Sequence, residues 1–432
     1  MTTIFGAIIL FLILVTFHEY GHYSVARFFK IKILKFSIGF GPDIFTWKNK
    51  DNVRFSLSSI PFGGYVAFHD PHDVENYKKL SESEKKYVLA NRPAPEKMLV
   101  TLAGPIFNFI LSFVIFSFVA LFIPKQPDVL TAKFNKIDGE QYFKVISVNE
   151  RSIKNVQDFE ISLLNLSGFT GNVVFNVYDY SSGSYETFQE EVKDLAFSDE
   201  QAPSAHFSIE AFNDYSPIIG SIAQGSIAEE YGLKDGDKIN ALNNIEVLSL
   251  SQLNNLLQNK KQKSLEIERD GEILFLSLPS IGQEEFYGIA LSPESNNFID
   301  SLRYGWDQTL FWIVNTFKFL AKMITGNLGV ENLSGPVGIA KVAGDSLSSG
   351  LIPFLLLTAI LSISLGAFNL LPLPMLDGGQ FLFILFEEVI GTPINMKLKV
   401  ALFNLSYMFI LALFIFVVYN DLMRIFWINW DF

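Results

Sequence analysis

Five residues near the N-terminus, His18-Glu19-Tyr20-Gly21-His22, have the types and spacing to hold a metal ion and work on water beside it. On a helix, positions i and i+4 share a face. Two imidazoles can then grip one ion while Glu19 stands next to it as a proton acceptor. The chain has no cysteine and five histidines. That excludes a disulfide framework, a Cys-ligated zinc or iron–sulfur site and a thiol nucleophile. The pattern also lies inside an apolar run, Ile4 to Phe29, which His18, Glu19, His22 and Arg27 interrupt. Ionisable groups at such a depth cost at least about 2.5 kcal/mol each and read as functional.

Two histidines and a water leave a tetrahedral catalytic site one protein ligand short. His69, His72 and His206 lie in polar loop sequence and are poor candidates. Glu387 and Glu388 remain open. Asp377 is better placed, at the end of Asn369-Leu370-Leu371-Pro372-Leu373-Pro374-Met375-Leu376-Asp377-Gly378-Gly379. Prolines at alternate positions cannot continue a helix. They predict an extended segment at membrane depth, tolerated where it lines a protein cavity. The same spacing also suits a Pro-rich loop with Asp377 capping the next helix.

The elements that must carry these residues are membrane spans. Of 432 residues, 49% are apolar, 15% aromatic and only 18% charged. Mean hydropathy is +0.28. Disorder and collagen are excluded, and a net charge of -12 points away from nucleic acid. A bilayer core needs roughly 20 apolar residues in a helix. Four runs qualify: Ile4–Phe29, Met98–Ile123, Leu351 to about Leu371, and Val400–Tyr419. The first has no basic segment before it and is broken by charge where a cleavage site would stand. It reads as a span, not a signal peptide. Residues 24–97 carry 13 Lys+Arg against 8 Asp+Glu, and residues 124–300 carry 13 against 28. By the positive-inside rule the short basic loop is cytoplasmic, and the long acidic one is exported.

The acidic loop alternates strand-like runs with turns. Its clearest part is Ser216–Leu278. A strand at Ile218–Ile222 and a short helix at Ser226–Tyr231, stopped by Gly232, lead into the turn Gly232-Leu233-Lys234-Asp235-Gly236-Asp237-Lys238-Ile239. Then come a strand at Ile239–Asn243, a helix at Leu250–Gln258, and a hairpin of Ser264–Arg269 and Ile273–Leu278 about Asp270-Gly271. This order resembles a PDZ domain, which binds a peptide C-terminus by strand addition. Residues 128–212 read as a degenerate copy, Phe143–Glu150 paralleling Asp237–Asn244. Further on, Leu302, Trp306, Leu310, Ile313, Phe317, Leu320 and Ile324 form one face of a helix over 301–325 that would lie on the bilayer.

HExxH in the first span, with NxxPxPxLDGG near the C-terminus, resembles the site-2 protease family, peptidase family M50. Phe36-Ser37-Ile38-Gly39-Phe40-Gly41-Pro42 and Phe55 to Asp70 are similar to that family's membrane-associated β-hairpin region. Ala103-Gly104-Pro105-Ile106-Phe107-Asn108-Phe109 and Asn332 to Ala340 match its second span and the segment before its third. The resemblance implies an intramembrane Zn2+ metalloprotease of a bacterial inner membrane. In it His18, His22 and Asp377 are ligands, Glu19 is the general base, and Asn369 steadies the substrate or oxyanion. Implied substrates are pre-trimmed single-span membrane proteins, such as an anti-sigma factor or remnant signal peptides. Phe55, Gly63 and Gly64 are candidates for pairing with an unwound substrate strand.

The expected fold is therefore a multi-pass α-helical membrane protein with four transmembrane helices, a β-hairpin region and inserted tandem PDZ-like α+β domains. Its expected segments are 1–29 with HExxH; 30–97 cytoplasmic; 98–123; PDZ-like domains at 128–212 and 213–282 in the periplasm; an interfacial segment at 298–346; 351–379; and 398–420. The exported pair would select substrates, either by capturing a new C-terminus or by excluding bulky outer domains. Two other readings stay open. One is an inactive PDZ-bearing scaffold, against which the joint presence of His18, Glu19, His22 and Asp377 speaks. The other is an HExxH membrane peptidase that cuts ordinary loops.

Overall fold

The computed structural model describes residues 2–71, 77–78, 80–123, 129–134, 142–180, 182–197, 201–258, 262–280, 287–290, 296–326 and 334–428. His72 lies outside them, as do parts of the expected segments 128–212, 213–282 and 298–346. The chain divides into two compact units. One holds residues 1–119, 298–320 and 329–432; the other holds 120–297 and 321–328.

The first unit contains four helices long and apolar enough to cross a membrane: α1 (Thr2–Phe28), α2 (Ala94–Ala120), α7 (Leu351–Asn369) and α9 (Met396–Ile428). Each covers one of the expected apolar runs. Small residues set the distances between these helices, as expected where lipid offers no hydrophobic drive to pack. A Cβ on Gly21 of α1 would clash with the Ala103 carbonyl of α2, and one on Gly366 of α7 would reach the Pro105 carbonyl. Helix α6 (Pro336–Ser349) packs on α1 in the same way, Gly6 against the Ala343 carbonyl. Leu10, Leu14, Ala343 and Phe354 are buried there. The N-terminus of α6 is held by Asp421 of α9, which is 3% exposed. Its carboxylate accepts N–H bonds from Gly335, Val337 and Gly338 at 3.0, 3.1 and 2.8 Å.

Helix α5 (Phe298–Ile324) carries the expected apolar stripe outward, with Leu302, Trp306, Leu310 and Phe317 exposed. Ser301, Thr309, Asn315 and Leu320 are buried instead. Gly305 presses on Ser117 and the Phe113 carbonyl of α2. The side chain of Ile324 lies outside the described residues.

Between α1 and α2 lie two long bent strands, β1 (Ile33–Lys48) and β2 (Arg54–Phe68). They pair twice. Residues 33–38 meet 64–68 on one side and 54–57 on the other, while 54–58 also pair with 43–48. The bend in β1 needs Gly39 and Gly41, at φ 90 and 86, which residues bearing a Cβ rarely adopt. The segment 64–68 is thus an edge, but Phe55 is interior, paired with both Phe36 and Trp47. Of the residues expected to pair with a substrate strand, Gly64 lies on this edge, while Phe55 is paired on both sides in this structure.

The second unit holds two similar sheets. The first runs β6 (Ser184–Val192), β5 (Gly171–Asp179), β4 (Tyr142–Val148), β3 (Val129–Phe134), β7 (Ile209–Asp214). The other pairs β8 (Lys238–Leu242) with β9 (Lys263–Arg269), which pairs with β10 (Glu272–Leu278). The expected strand at Ile218–Ile222 is shorter, Ser221–Ile222, and pairs with Ile289–Ala290. Both sheets use one turn device. Asn149-Glu150 and Asn243-Asn244 all have positive φ. The side chains of Asn149 and Asn243 each accept a backbone N–H at 2.8 Å, from Val174 and Ser264. A helix follows each, Val156–Leu164 and Leu250–Gln258. The two sheets thus share this turn and the helix after it. The two sheets are joined by Asp214, which accepts from Thr131 Oγ1 at 3.1 Å and from the Ser251 N–H at 3.4 Å. Beside them, burial pushes the Tyr180 phenol up to about 12.

The Gly-rich turn before β8 has a buried reason for its aspartate. Asp237 is 1% exposed and holds Arg269 through two bonds of 2.7 Å. It also accepts the Lys234 N–H at 2.9 Å. Truncating one partner of a buried pair strands the other and costs about 3–5 kcal/mol. Arg269 retains some water, so Asp237→Ala is expected to destabilise this sheet by about 2–3 kcal/mol. Thermal unfolding of the purified chain should show it, with exposed Glu272→Ala on β10 as a near-neutral control.

Candidate metal centre

His18, Glu19 and His22 fall on the inward part of α1, where His18 and Glu19 are 8% and 9% exposed. Asp377 reaches them from the start of α8 (Asp377–Ile390). Its Oδ2 lies 3.3 Å from His18 Nε2 and 3.5 Å from His22 Nε2, and the two Nε2 atoms are 3.3 Å apart. These three side chains are the one group, among the described residues, with ligand atoms close enough to share an ion. A tetrahedral zinc with bonds of about 2.0–2.1 Å has ligand-to-ligand edges of about 3.3–3.4 Å. Asp377 Oδ2 is also buried, and among the described residues it meets only these two imidazole nitrogens. A carboxylate oxygen left so would be costly, and a cation on the open side of the triangle removes the cost. The residues fit zinc on both counts.

The surroundings set the rings. His22 Nδ1 lies 2.8 Å from the Val100 carbonyl of α2. A carbonyl can only accept, so Nδ1 carries the proton and Nε2 presents a lone pair. His18 Nδ1 lies 3.1 Å from Nδ2 of Asn108, also on α2. Gly104 sits one helical turn before Asn108, and a Cβ there would collide with both imidazoles. Sequence reasoning assigned no role to Gly104, Val100 or Asn108. The signal for two of them was present, a glycine and an asparagine four apart inside an apolar run. Only the fold shows that they face the histidines.

Asp377 is both the first residue of α8 and a member of this cluster, so the two readings of its segment are not alternatives. The expected extended segment is corrected. After Asn369 the chain turns tightly, with N–H bonds from Leu371 to Phe368, from Leu373 to Leu371 and from Leu376 to Leu373. Pro372 and Pro374 stop the helix, and the loop then folds back onto the start of α8. Cβ atoms on Gly378 and Gly379 would overlap the carbonyls of Leu370 and Leu373. The paired glycines therefore let Asp377 enter a helix that starts underneath its own approach loop.

Other candidates lie elsewhere. Glu387 binds Lys399 at 3.4 Å, and Glu388 is exposed. His206 stacks edge-on with Phe197 and Phe207 in the second unit, and His69 follows β2. Asn369 Nδ2 donates to the Leu365 carbonyl at 3.0 Å, within its own helix. The edge segment of β2 comes to the site: a Cβ on Gly64 would stand 3.1 Å from Glu19 Cγ. Gly64 lets the strand lie against Glu19. Gly63 adjoins it at φ 108.

The model of peptidase family M50 matches residues 6–413. The chain belongs to peptidase family M50. It is 29% identical to a Haemophilus influenzae regulator of sigma E protease, over 97% of this chain and 98% of that protein. Identity is 27% to the Salmonella typhimurium regulator of sigma-E protease RseP, with 96% of each covered. It is 30% to a Neisseria meningitidis protein named as a zinc metalloprotease, over 98% of this chain and 100% of the relative. As an M50 member with such relatives, the chain is a membrane zinc metalloprotease.

The Gly104 contact gives a sharp test of this M50 site. Gly104→Ala should favour helix α2 by about 1 kcal/mol on propensity alone. It is nevertheless expected to lower bound zinc and proteolysis together, because the new methyl occupies the space beside the ligand nitrogens. Metal analysis of the purified variant, alongside its melting temperature, separates these effects.

Proposed function

We propose that this chain cleaves single-span membrane proteins inside the bilayer, after other enzymes have trimmed their outer domains. The observation that carries this reading is the His18–His22–Asp377 triangle on helices of membrane-spanning length, with Glu19 beside it. In this reading His18, His22 and Asp377 hold zinc. Bound zinc lowers the pKa of a water toward about 7 and polarises the scissile carbonyl. Glu19 takes the proton of the attacking water and returns it to the departing amine nitrogen. Asn369, freed from the Leu365 carbonyl, donates to the substrate backbone. The 64–68 edge offers unpaired backbone groups beside Glu19, so an unwound substrate can lie along it as an added strand. Helix unwinding matters because a helix hides its carbonyls in hydrogen bonds.

Glu19→Gln is expected to abolish cleavage and keep zinc, because both imidazoles and Asp377 remain. Asp377→Asn should weaken zinc binding and activity together. Metal content of both purified variants checks the division of roles; loss of zinc in Glu19→Gln with none in Asp377→Asn reverses it.

The charge asymmetry supports a bacterial inner-membrane orientation with 30–97 cytoplasmic and the second unit periplasmic. Alkaline phosphatase fused after Pro279 should be active and after Lys86 inactive. The opposite pattern refutes the orientation.

The PDZ reading of 213–282, and of 128–212 as its degenerate copy, draws support from the shared Asn turn and the helix that follows it in each. Neither copy carries the zinc chemistry, so we assign the pair to substrate selection. Deleting 128–282 should let substrates with large outer domains be cut untrimmed. Continued rejection by a folded, zinc-loaded variant would remove the size-exclusion reading. Loss of trimmed substrates as well would favour peptide capture.

A further inference from the structure

Asn108 is completely buried at the middle of α2, ninety positions along the chain from His18 and in contact with it. Its backbone is pinned. The Asn108 carbonyl accepts Ser362 Oγ of α7 at 2.9 Å and lies 3.0 Å from Ser112 Oγ, which also faces the Ala359 carbonyl at 2.8 Å. Across from it, a Cβ on Gly366 would come within 3.3 Å of Asn108 Cβ. The side chain therefore has little freedom beyond rotation of its terminal amide. That amide ends 3.1 Å from His18 Nδ1, while its own Oδ1 is buried with no partner.

The two ends of the amide impose opposite states on the ring. With Nδ2 toward it, Nδ1 accepts and the neutral ring's proton sits on Nε2, aimed at Asp377 Oδ2 at 3.3 Å. With Oδ1 toward it, Nδ1–H donates and Nε2 presents its lone pair. A half-turn of the amide exchanges these without changing its shape. His22 is already in the second state through the Val100 carbonyl. A ligand histidine donates its other N–H to an acceptor of this kind, and for His18 the orphaned Oδ1 is the acceptor at hand.

We propose that Asn108 is a positioning residue for the metal centre. Its amide turns Oδ1 to His18 when zinc binds, fixing the tautomer that leaves Nε2 free, and turns Nδ2 to it when zinc leaves. Asn108 touches neither substrate nor ion; it acts through His18. The inference rests on His18 being a zinc ligand.

The test is zinc affinity of the full-length protein in detergent, by chelator competition, together with 15N spectra of its labelled histidines. Asn108→Leu keeps the volume and removes the acceptor. Its zinc dissociation constant should rise about 10–100-fold. Asn108→Asp restores an acceptor and should recover most of that loss, which a purely packing role would not produce. In zinc-loaded wild type, His18 should be protonated at Nδ1 and not at Nε2, a readout that needs no variant at Asn108. Unchanged affinity in Asn108→Leu, or a failure of aspartate to recover it in a folded protein, overturns the proposal. So does an Nε2-protonated His18 in the zinc form. His18→Ala separates the two levels. If it keeps zinc at wild-type affinity, the ligand assignment itself fails. If it loses zinc while Asn108→Leu does not, only the role of Asn108 fails.

Discussion

Groups that handle water and a cation must here sit among apolar helices, where an unpartnered polar atom costs several kcal/mol. That constraint shapes the first unit. The rings at the centre are each matched by a specific neighbour, His22 by the Val100 carbonyl and His18 by Asn108. Two oxygens are exceptions: Asn108 Oδ1 has no partner, and Asp377 Oδ2 meets only the point where the two Nε2 atoms converge. Elsewhere Ser112 and Ser362 spend their hydroxyls on the Asn108 carbonyl or across to Ala359, so buried hydroxyls also join α2 to α7.

Such short-range matching requires backbones to come close, and glycine provides it. Gly21 and Gly104 bring α1 and α2 together on either side of the histidines, Gly366 brings α7 to Asn108, and Gly64 brings the strand edge to Glu19. Gly378 and Gly379 do the same for the loop that delivers Asp377. These residues do no chemistry. Each removes a Cβ that would hold a polar partner out of hydrogen-bonding or ligand range. The outer faces of the same helices, by contrast, are plain apolar surface, as with Ile106, Ile110, Val114 and Phe118 on α2.

The second unit solves a different problem with ordinary soluble-protein means. Two cores, one rich in phenylalanine around Phe143, Phe159 and Phe175 and one around Leu233, Ile239 and Ile267, lie under sheets built on the same Asn turn. Neither the acidic surface nor these cores bears on zinc.

The four long apolar helices and the helix that carries HExxH were legible from the sequence because each rests on local spacing. Apolar run length sets a span, a four-residue interval sets a shared helix face, and Asn-Gly-type turns set hairpins. Asp377 could be ranked above Glu387 and Glu388 but not chosen, since the choice depends on which carboxylate a turn carries back to α1. Strand pairing is a property of neighbours, so only the doubly bent hairpin shows Phe55 enclosed between Phe36 and Trp47 while Gly64 stays at the edge. Val100, Gly104 and Asn108 were invisible as site residues for the same reason. Their contacts cross some 80 or 90 positions of chain, and helix periodicity says which residues share a face but not which face meets the histidines.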